Sequence, residues 1–413
     1  MQLPRMVPVA QRFPAEAIAD VPGSVRSELA RVRLAAAIRP GARIAVCAGS
    51  RGIAHVDQIV RTVVETLVQA GARPFVLPAM GSNGGATAEG QRQVLAGYGI
   101  TAASMGCPVE ATMDVVEVGR LDDGTPVLVN RLALASDGIV LVNRVKPHTS
   151  FRGRFESGLM KMMTIGLGCH QGARIAHSHA WGLARLIPAW GSVILRRAPV
   201  LLGVAVIENA YDRIARVEAL LPHEFEQREP ELLAAARRAM ARLLVRDIDV
   251  LIVEQVGKDI SGTGMDTNVV GRMLLPGVPE PSEPGVRRIV CLSLTPKTHG
   301  NANGVGLADI ITRRLFREID FGATYANVFT TGFLNRAHIP VIMESDREAI
   351  EGAVSLLHLA AAQQARMVRI RNTLELARIE VSESIAAELG GRDDVAILGA
   401  PAPFRFDAHG VLL

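Results

Sequence analysis

Short apolar runs alternate with helical patterns along the chain, and polar or glycine-rich loops separate them. A β-branched run at Ala42–Ala48 ends in a Gly-Ser-Arg-Gly loop and precedes a helical pattern at Val56–Ala70. The same order follows, with a strand at Pro74–Leu77, a glycine-rich loop and a helix at Ala88–Tyr98. Repeated strand, loop and helix predict a doubly wound sheet, in which helices carry the chain between parallel strands.

A third apolar run, Gly138–Val142, ends in the polar segment Asn143–His148. Two shorter runs, Val115–Val118 and Pro126–Val129, flank an Asp-Asp-Gly sequence that predicts a hairpin. In open α/β sheets, ligands bind outside the carboxyl ends of the strands. We therefore expect the loops after the three apolar strands to meet in one crevice.

The second half of the chain repeats the alternation. Strands are predicted at Val250–Val253, Arg288–Leu294, Pro340–Met343, Met367–Ile370 and Ile379–Val381. Helices are predicted at Pro230–Val245, Gly304–Phe316, Arg347–Leu359 and Glu383–Leu389. We predict an α/β protein of two α/β domains with mainly parallel sheets and an active-site cleft between them. Residues 1–245 form the N-terminal domain and residues 246–413 the C-terminal domain, whose last segment can pack back on the first.

The amino-acid composition indicates a folded protein and argues against nucleic-acid-binding and membrane-spanning classes. Hydrophobic residues make up 49% of the 413 residues and charged residues 21%, which is typical of a folded chain. The net charge is only +4, and no zinc-finger or RNA-recognition spacing occurs, so we expect no nucleic-acid partner. Without a long apolar run or a leader sequence, and with four widely spaced cysteines, we expect a cytoplasmic protein with reduced thiols and no membrane span. Homo-oligomerisation stays open.

The densest polar cluster is Asn143–His179. It contains several glycines, which let a backbone approach a ligand closely. Before Met162 its cationic residues are Arg144, Lys146, Arg152, Arg154 and Lys161, with His148 as a sixth if protonated. Packing alone gives no reason to crowd charge and glycine around apolar turns, so this segment is predicted to bind a small anionic substrate.

This segment resembles the signature of the nickel-pincer lactate racemase family, which has a His, a glycine-rich stretch, a Lys and a later metal-binding His. Lys161 stands where the family's Lys holds the cofactor through a thioamide. His177, sixteen residues later, matches the nickel-binding His. His148 matches a catalytic His, although its gap to Lys161 is a few residues longer than in the family. His179 stays open as an alternative nickel ligand.

The resemblance implies a cofactor, the nickel-carrying pyridinium-3-thioamide-5-thiocarboxylic acid mononucleotide (the nickel-pincer nucleotide), and partner enzymes that make and load it. Lys161 must then react as a neutral amine, which a desolvated or cation-crowded pocket favours. Neutral imidazole is a good nickel ligand, and sulfur donors suit the rest of a square-planar site.

Two further loops carry predicted ligand contacts. Of the family's loop after the first strand only a Ser/Thr-Arg pair is retained, and it assigns Ser50 to the cofactor and Arg51 to cofactor or substrate oxyanions. The second loop has Asn83 where the family has a second catalytic His. Asn83 can orient a substrate oxygen but is no general base, and Gly84 and its neighbours can bind a phosphate through backbone N–H groups.

In the second half, Lys258 corresponds to a family loop containing Lys-Asp, and its predicted role is to bind the anionic substrate or stabilise developing charge. Asp266 and Asn268 are predicted to orient the substrate. Lys297 and His299 lie in a polar loop with no family counterpart, and their roles stay open.

The implied function is an isomerase, a racemase or epimerase of a 2-hydroxy acid, in which His148 removes the hydroxyl proton while a hydride moves to the cofactor. Because Asn83 replaces a base, a one-sided hydride reaction on another hydroxylated substrate is the first alternative. A cofactor-free protein that binds an anionic ligand is the second.

Overall fold

The computed structural model describes residues 1–50, 52–179, 182–276 and 278–413. The chain forms two compact units. One comprises residues 14–240, and the other comprises residues 1–13 and 241–413. The domain boundary at residue 245 and the cleft between domains stay predictions.

The elements are numbered in chain order. The strands are β1 (Met6–Gln11), β2 (Arg43–Ala48), β3 (Arg73–Pro78), β4 (Val115–Arg120), β5 (Pro126–Asn130), β6 (Gly138–Arg144), β7 (Val200–Glu208), β8 (Ile214–Leu220), β9 (Asp247–Val256), β10 (Gly285–Leu294), β11 (Ile310–Thr312), β12 (Val341–Met343), β13 (Met367–Ile370), β14 (Arg378–Ser382) and β15 (Val395–Ile397). The α-helices are α1 (Val21–Arg31), α2 (Leu34–Ala37), α3 (Val56–Gln69), α4 (Ala88–Gly97), α5 (Ala102–Met105), α6 (Arg131–Leu134), α7 (Leu159–Lys161), α8 (Cys169–Ser178), α9 (Gly182–Arg197), α10 (Phe225–Ala239), α11 (Thr267–Val270), α12 (Arg313–Arg317), α13 (Phe321–Thr331), α14 (Asp346–Ser355) and α15 (Glu383–Leu389).

The unit of residues 14–240 is built on a sheet with strand order β3-β2-β6-β7-β8. All neighbours are parallel except β7 and β8. Alternate residues of β2 point to opposite faces, and both sets are buried: Cys47 packs in one core cluster and Val46 in the other. Strands covered on both faces read as continuous apolar runs. The predicted α/β class is confirmed, and so are the strands, helices and hairpin predicted before residue 142.

The other unit contains a sheet with strand order β12-β11-β10-β9-β13-β14-β1-β15. Strands β12 to β13 in this order are parallel, and the remaining pairs are antiparallel. Nothing in the sequence indicated that β1 would join this sheet. Its partners β14 and β15 lie at the opposite end of the chain, so no local pattern could reveal the pairing.

One predicted helix, Gly304–Phe316, is wrong. The structure has a 3-10 turn at Val305–Leu307, then β11, then the short α12. Ile310 and Ile311 pair with β10 and are buried, so tertiary burial overrides the helical spacing. The side chain of Thr312 then caps α12 by accepting the backbone N–H of Leu315.

The predicted helix Pro230–Val245 is displaced, because α10 begins at Phe225 and ends at Ala239. Pro230 lies inside the helix, where its missing N–H leaves the carbonyl of Glu226 without its usual partner. Arg154 donates to that carbonyl at 2.7 Å. Within the described ranges, no helix is both long and apolar enough to cross a membrane.

Candidate functional site

Three loops at the carboxyl ends of β2, β3 and β6 close on the segment 158–166. A Cβ on Gly49 would lie 3.3 Å from both Asn143 Oδ1 and the methyl carbon of Met162. The backbone N–H of Gly81 donates to the carbonyl of Gly166 at 3.1 Å. The side chain of Asn143 donates to the carbonyl of Gly158 at 2.7 Å. The loops after the three apolar strands therefore meet, as the sequence predicts.

The chain between β6 and α7 forms a closed excursion that carries His148. Its ends are joined by two backbone hydrogen bonds between Lys146 and Ser157, of 3.0 and 3.2 Å. Inside the excursion, the carboxylate of Glu156 accepts the backbone N–H of His148 at 2.6 Å. The ring of Phe151 packs beside the imidazole, with centroids 4.4 Å apart. The His148 ring is therefore fixed by backbone and packing contacts.

His148 and Lys161 are in direct contact, with 3.0 Å between Nε2 and Nζ. The backbone N–H of Ser150 donates to His148 Nδ1 at 3.0 Å, so the hydrogen-bond pattern assigns the proton of the neutral ring to Nε2. That proton points at Lys161, which can accept it only with the lone pair of a neutral amine. The geometry thus favours the form of Lys161 that can react with an electrophile.

Lys161 is followed by a π-helical turn at Met162–Gly166. Such turns have one extra residue and are frequent at functional sites. All of its residues are buried. A Cβ on Gly166 would lie 2.6 Å from the carbonyl oxygen of Ala79, so the β3 loop approaches this turn only because glycine stands there. The turn joins the Lys161 helix to α8, which carries His177.

His177 lies near the end of α8. Burial lowers its pKa from 6.5 to about 4, and the charge of a Lys161 ammonium acts in the same direction. Because burial is the larger cause, the imidazole is neutral at neutral pH in either state of Lys161. A neutral imidazole is the form that binds a transition metal.

His179 is held differently from His177. Its Nε2 lies 3.0 Å from Asp123 Oδ2 and 3.0 Å from Thr125 Oγ1, both in the turn of the β4–β5 hairpin. This pair ties the end of α8 to the hairpin. The contacts engage Nε2 of His179, whereas the pKa of His177 is lowered by the charge of Lys161 as well as by burial.

The other predicted contacts of this unit have local partners. The carbonyl of Ser50 accepts the hydroxyl of Tyr98 at 2.8 Å, and the exposed Asn83 donates its side-chain N–H to the carbonyl of Met80 at 2.8 Å. Gly84 has φ +66°, and a Cβ there would lie 2.6 Å from Gln91 N. Arg51 lies outside the described residues. The ligand roles of these four residues stay predictions.

Lys258, Asp266 and Asn268 belong to the other unit. The ammonium of Lys258 donates to the carbonyl of Gly262 at 2.9 Å and to Asn327 Oδ1 at 2.8 Å. Asp266 caps α11 and accepts both the backbone and the side-chain N–H of Asn268, at 2.9 and 2.7 Å. Their catalytic and substrate roles stay predictions. Lys297 and His299 are exposed in the same unit.

Sequence reasoning missed two residues of α10 and a buried carboxylate next to His148. Glu229 shares the buried face of α10 with Phe225, Leu232, Leu233 and Ala236. A carboxyl group in an apolar stripe is a signal that the sequence does carry. Glu156 and its partner Arg237 are far apart in sequence and left no such pattern.

Two comparisons with known proteins give a match. The family model "Lactate racemase N-terminal domain" matches residues 11–185. A solved structure, the lactate racemase apoprotein from Thermoanaerobacterium thermosaccharolyticum, is similar with a TM-score of 0.53 and 12% identity, over 90% of this chain and 99% of that one. At that identity the likeness concerns the fold. A comparison with curated proteins finds no match.

Proposed function

We propose that this chain, which is similar to lactate racemases in the family model of residues 11–185 and in fold, is an isomerase that racemises or epimerises a 2-hydroxy acid with a nickel-pincer nucleotide. The observation that carries the proposal is the contact of His148 with Lys161, 3.0 Å from Nε2 to Nζ, beside a neutral His177. Lys161 would hold the cofactor, His177 would bind its nickel, and His148 would act on the substrate hydroxyl.

The residues present fit the cofactor. Among the described residues, no group of three or more His, Cys, Asp or Glu could hold a metal ion by itself. A nickel that brings sulfur and carbon donors needs only one further ligand from the protein, and His177 is neutral at neutral pH. The contact with His148 favours the neutral form of Lys161, which is the protonation state that attack on an activated carboxyl group requires.

The chain's own residues then bind, orient and move one proton. When bound, the cofactor would supply a ring that takes up and returns the C2 hydride. A Lys161 nitrogen engaged in a thioamide no longer accepts a ring N–H. His148 would then act as the base in the tautomer that has its proton on Nδ1, with the Ser150 N–H contact given up and the Nε2 lone pair turned to the substrate hydroxyl. The packed Phe151 ring keeps the imidazole oriented during that exchange.

Asn83 favours a second candidate function. It stands where the resemblance calls for a second His, and its side-chain N–H is bonded within its own loop. With one base, the protein would transfer hydride on one face of a different hydroxylated substrate. Ser50, Arg51, Gly84, Lys258, Asp266 and Asn268 would bind cofactor or substrate in either reaction.

The test is a chiral assay of protein co-expressed with the enzymes that make and load the cofactor. Each enantiomer of a panel of 2-hydroxy acids is incubated separately, and both enantiomers and the 2-oxo acid are quantified. Formation of the opposite enantiomer supports the racemase. Accumulation of the oxo acid alone supports the one-sided reaction. Unloaded protein that binds the acids without either product would point to the cofactor-free binding protein.

A further inference from the structure

Helix α10 contacts both elements that carry the proposed reactive groups. Glu229, on its buried face, contacts α7, which ends at Lys161. Arg237, near its end, contacts Glu156 in the excursion that carries His148. We propose that α10 sets the distance between His148 and Lys161 through the buried carboxyl groups of Glu229 and Glu156, which makes these two positioning residues. This inference rests on the proposed function for the roles of His148 and Lys161, whereas the contacts with α10 do not depend on it.

The first contact fixes the start of α7. Glu229 Oε2 accepts the backbone N–H of Met160 at 3.0 Å. The first N–H groups of a helix have no partner inside it, and Gly158, which precedes α7, has no side chain that could supply one. Glu229 therefore does the work of a capping residue from another helix.

Gly158 is part of the same device. A Cβ at this position would lie 2.2 Å from Glu229 Oε1, so any other residue would displace the buried carboxyl. A second glycine, Gly203 on β7, leaves room for neighbouring side chains. A Cβ there would lie 2.4 Å from the Leu159 side chain and 2.8 Å from the Phe225 ring. The missing side chains let α7, α10 and β7 approach closely.

The second contact fixes the excursion around His148. Glu156, only 1% exposed, accepts the N–H of His148 at 2.6 Å and the guanidinium of Arg237 at 2.5 Å. Arg152 lies 3.6 Å from the same carboxylate. A buried carboxylate with charged and backbone donors is held strongly, because its removal would leave those donors unpaired. The backbone of His148 is thus attached to the far end of α10.

A third contact attaches the loop at the beginning of α10. Pro230 frees the carbonyl of Glu226, and Arg154 occupies it. One rigid helix therefore contacts positions 154, 156 and 159–160, on both sides of the His148–Lys161 pair. Burial raises the pKa of Glu229 to about 8, so this group is mainly a neutral acid at neutral pH and adds no charge beside Lys161.

The test uses the unloaded protein, so that it does not depend on the cofactor. The chain has four lysines, Lys146, Lys161, Lys258 and Lys297, and Lys297 is exposed. Brief acetylation with limiting acetic anhydride, followed by peptide mass spectrometry, gives the labelling ratio of Lys161 to Lys297. H148A gives the ratio for a Lys161 that has lost its partner.

We expect E229A to shift the ratio of Lys161 to Lys297 labelling to the H148A value. Two ratios count as equal when they agree within about twofold, the usual limit of additivity for independent sites. E229Q, which keeps an acceptor oxygen, stays within about twofold of the wild type, as does E231A, an exposed substitution on the same helix. G158A follows E229A without removing the carboxyl group. In the H148A background, E229A adds no further shift.

A folded E229A or G158A protein with the wild-type ratio would overturn the inference. Thermal melts identify variants that are unfolded. If E229A is unfolded, the labelling ratio of G158A decides. If protein co-expressed with the cofactor-making enzymes carries no nickel cofactor while E229A still changes the labelling ratio, the proposed function fails and the positioning role stands. If cofactor loads normally into E229A with an unchanged ratio, the positioning role fails and the function stands.

Discussion

His148 lies with Nε2 3.0 Å from Lys161 Nζ, while its Nδ1 accepts the backbone N–H of Ser150. The two hydrogen bonds together leave one consistent arrangement, a ring proton on Nε2 and a lone pair on the amine. Two residues predicted separately, as base and as cofactor anchor, thus form one unit. In the proposed function, the histidine would favour the neutral form of the lysine before the cofactor is loaded and would act on the substrate afterwards.

Replacing His148 with Ala should impair two separate events. Lys161 loses the partner that favours its neutral form, so the yield of covalent cofactor falls when loading enzymes are limiting. Protein that does load should turn over more slowly by on the order of 10²–10⁴-fold, the usual effect of removing a general base. Both are measured on one preparation, by intact mass and by a turnover assay. Normal loading together with normal turnover would contradict the role of this residue.

Replacing His177 with Ala should separate nickel from the organic part of the cofactor. The Lys161 adduct remains in the mass spectrum, while nickel per adduct, measured by elemental analysis, falls strongly. The matched control is H170A, since His170 is exposed on the first turn of the same helix. Full nickel content in H177A would assign the ligand to another residue, with His179 the first to test.

The stability of the unloaded protein should depend on pH through His177. Its pKa is about 4 in the folded state and has the ordinary value of 6.5 in the unfolded chain. As the pH falls, the unfolded chain therefore takes up this proton before the folded protein does. Stability contributed by this group is therefore full above pH 6.5 and decreases as the pH falls towards 4. H177Q should flatten that part of the profile in denaturant titrations. Parallel profiles for the two proteins would be inconsistent with a buried, neutral His177.

Glu229 should give the opposite dependence. Its folded pKa is raised from 4.5 to about 8 by burial, so the folded state keeps a proton that the unfolded chain loses. The favourable contribution is full below pH 4.5 and is lost as the pH rises to 8, with a slope of at most about 1.4 kcal/mol per pH unit. E229Q cannot ionise, so its stability relative to wild type should increase between pH 5 and 8.5. Equal slopes would show that Glu229 is ionised in the folded protein.

The Asp123–His179 pair should act on nickel retention more than on folding. Asp123 lies in an exposed turn, where solvent screens the pair, so the pair contributes little to stability. D123A frees the end of α8 beside His177, so nickel should dissociate faster in a chelator chase while the melting temperature changes little. D122A, in the same turn, is the matched control. If D123A and D122A lost nickel to the chelator at the same rate, the pair would have no role in nickel retention.

The sequence was most informative where the physics is local. The strands ending at Ala48, Pro78 and Arg144 are apolar and buried on both faces, so their runs predict parallel neighbours and a shared loop edge. The resemblance added roles for Lys161, His148 and His177, which stay predictions. In the structure His148 contacts Lys161, and the charge of Lys161 acts on His177.

What the sequence could not provide depends on distant partners. The strand β1 pairs with β14 and β15 from the other end of the chain. Ile310 and Ile311 form a strand because β10 buries them, although their spacing favours a helix. Glu156 and Arg237 meet only when α10 has docked. In each case the deciding contact is tertiary, and no window of local sequence contains it.

Peptide mass spectrometry of the protein after co-expression with the cofactor-making enzymes decides whether Lys161 holds the cofactor. We expect a covalent adduct of the pincer nucleotide on the peptide that contains Lys161, together with nickel in the intact protein. K161A, prepared in parallel, should lack the adduct while remaining folded. An adduct that persists in K161A, or one found on Lys146, Lys258 or Lys297 instead, would contradict the account.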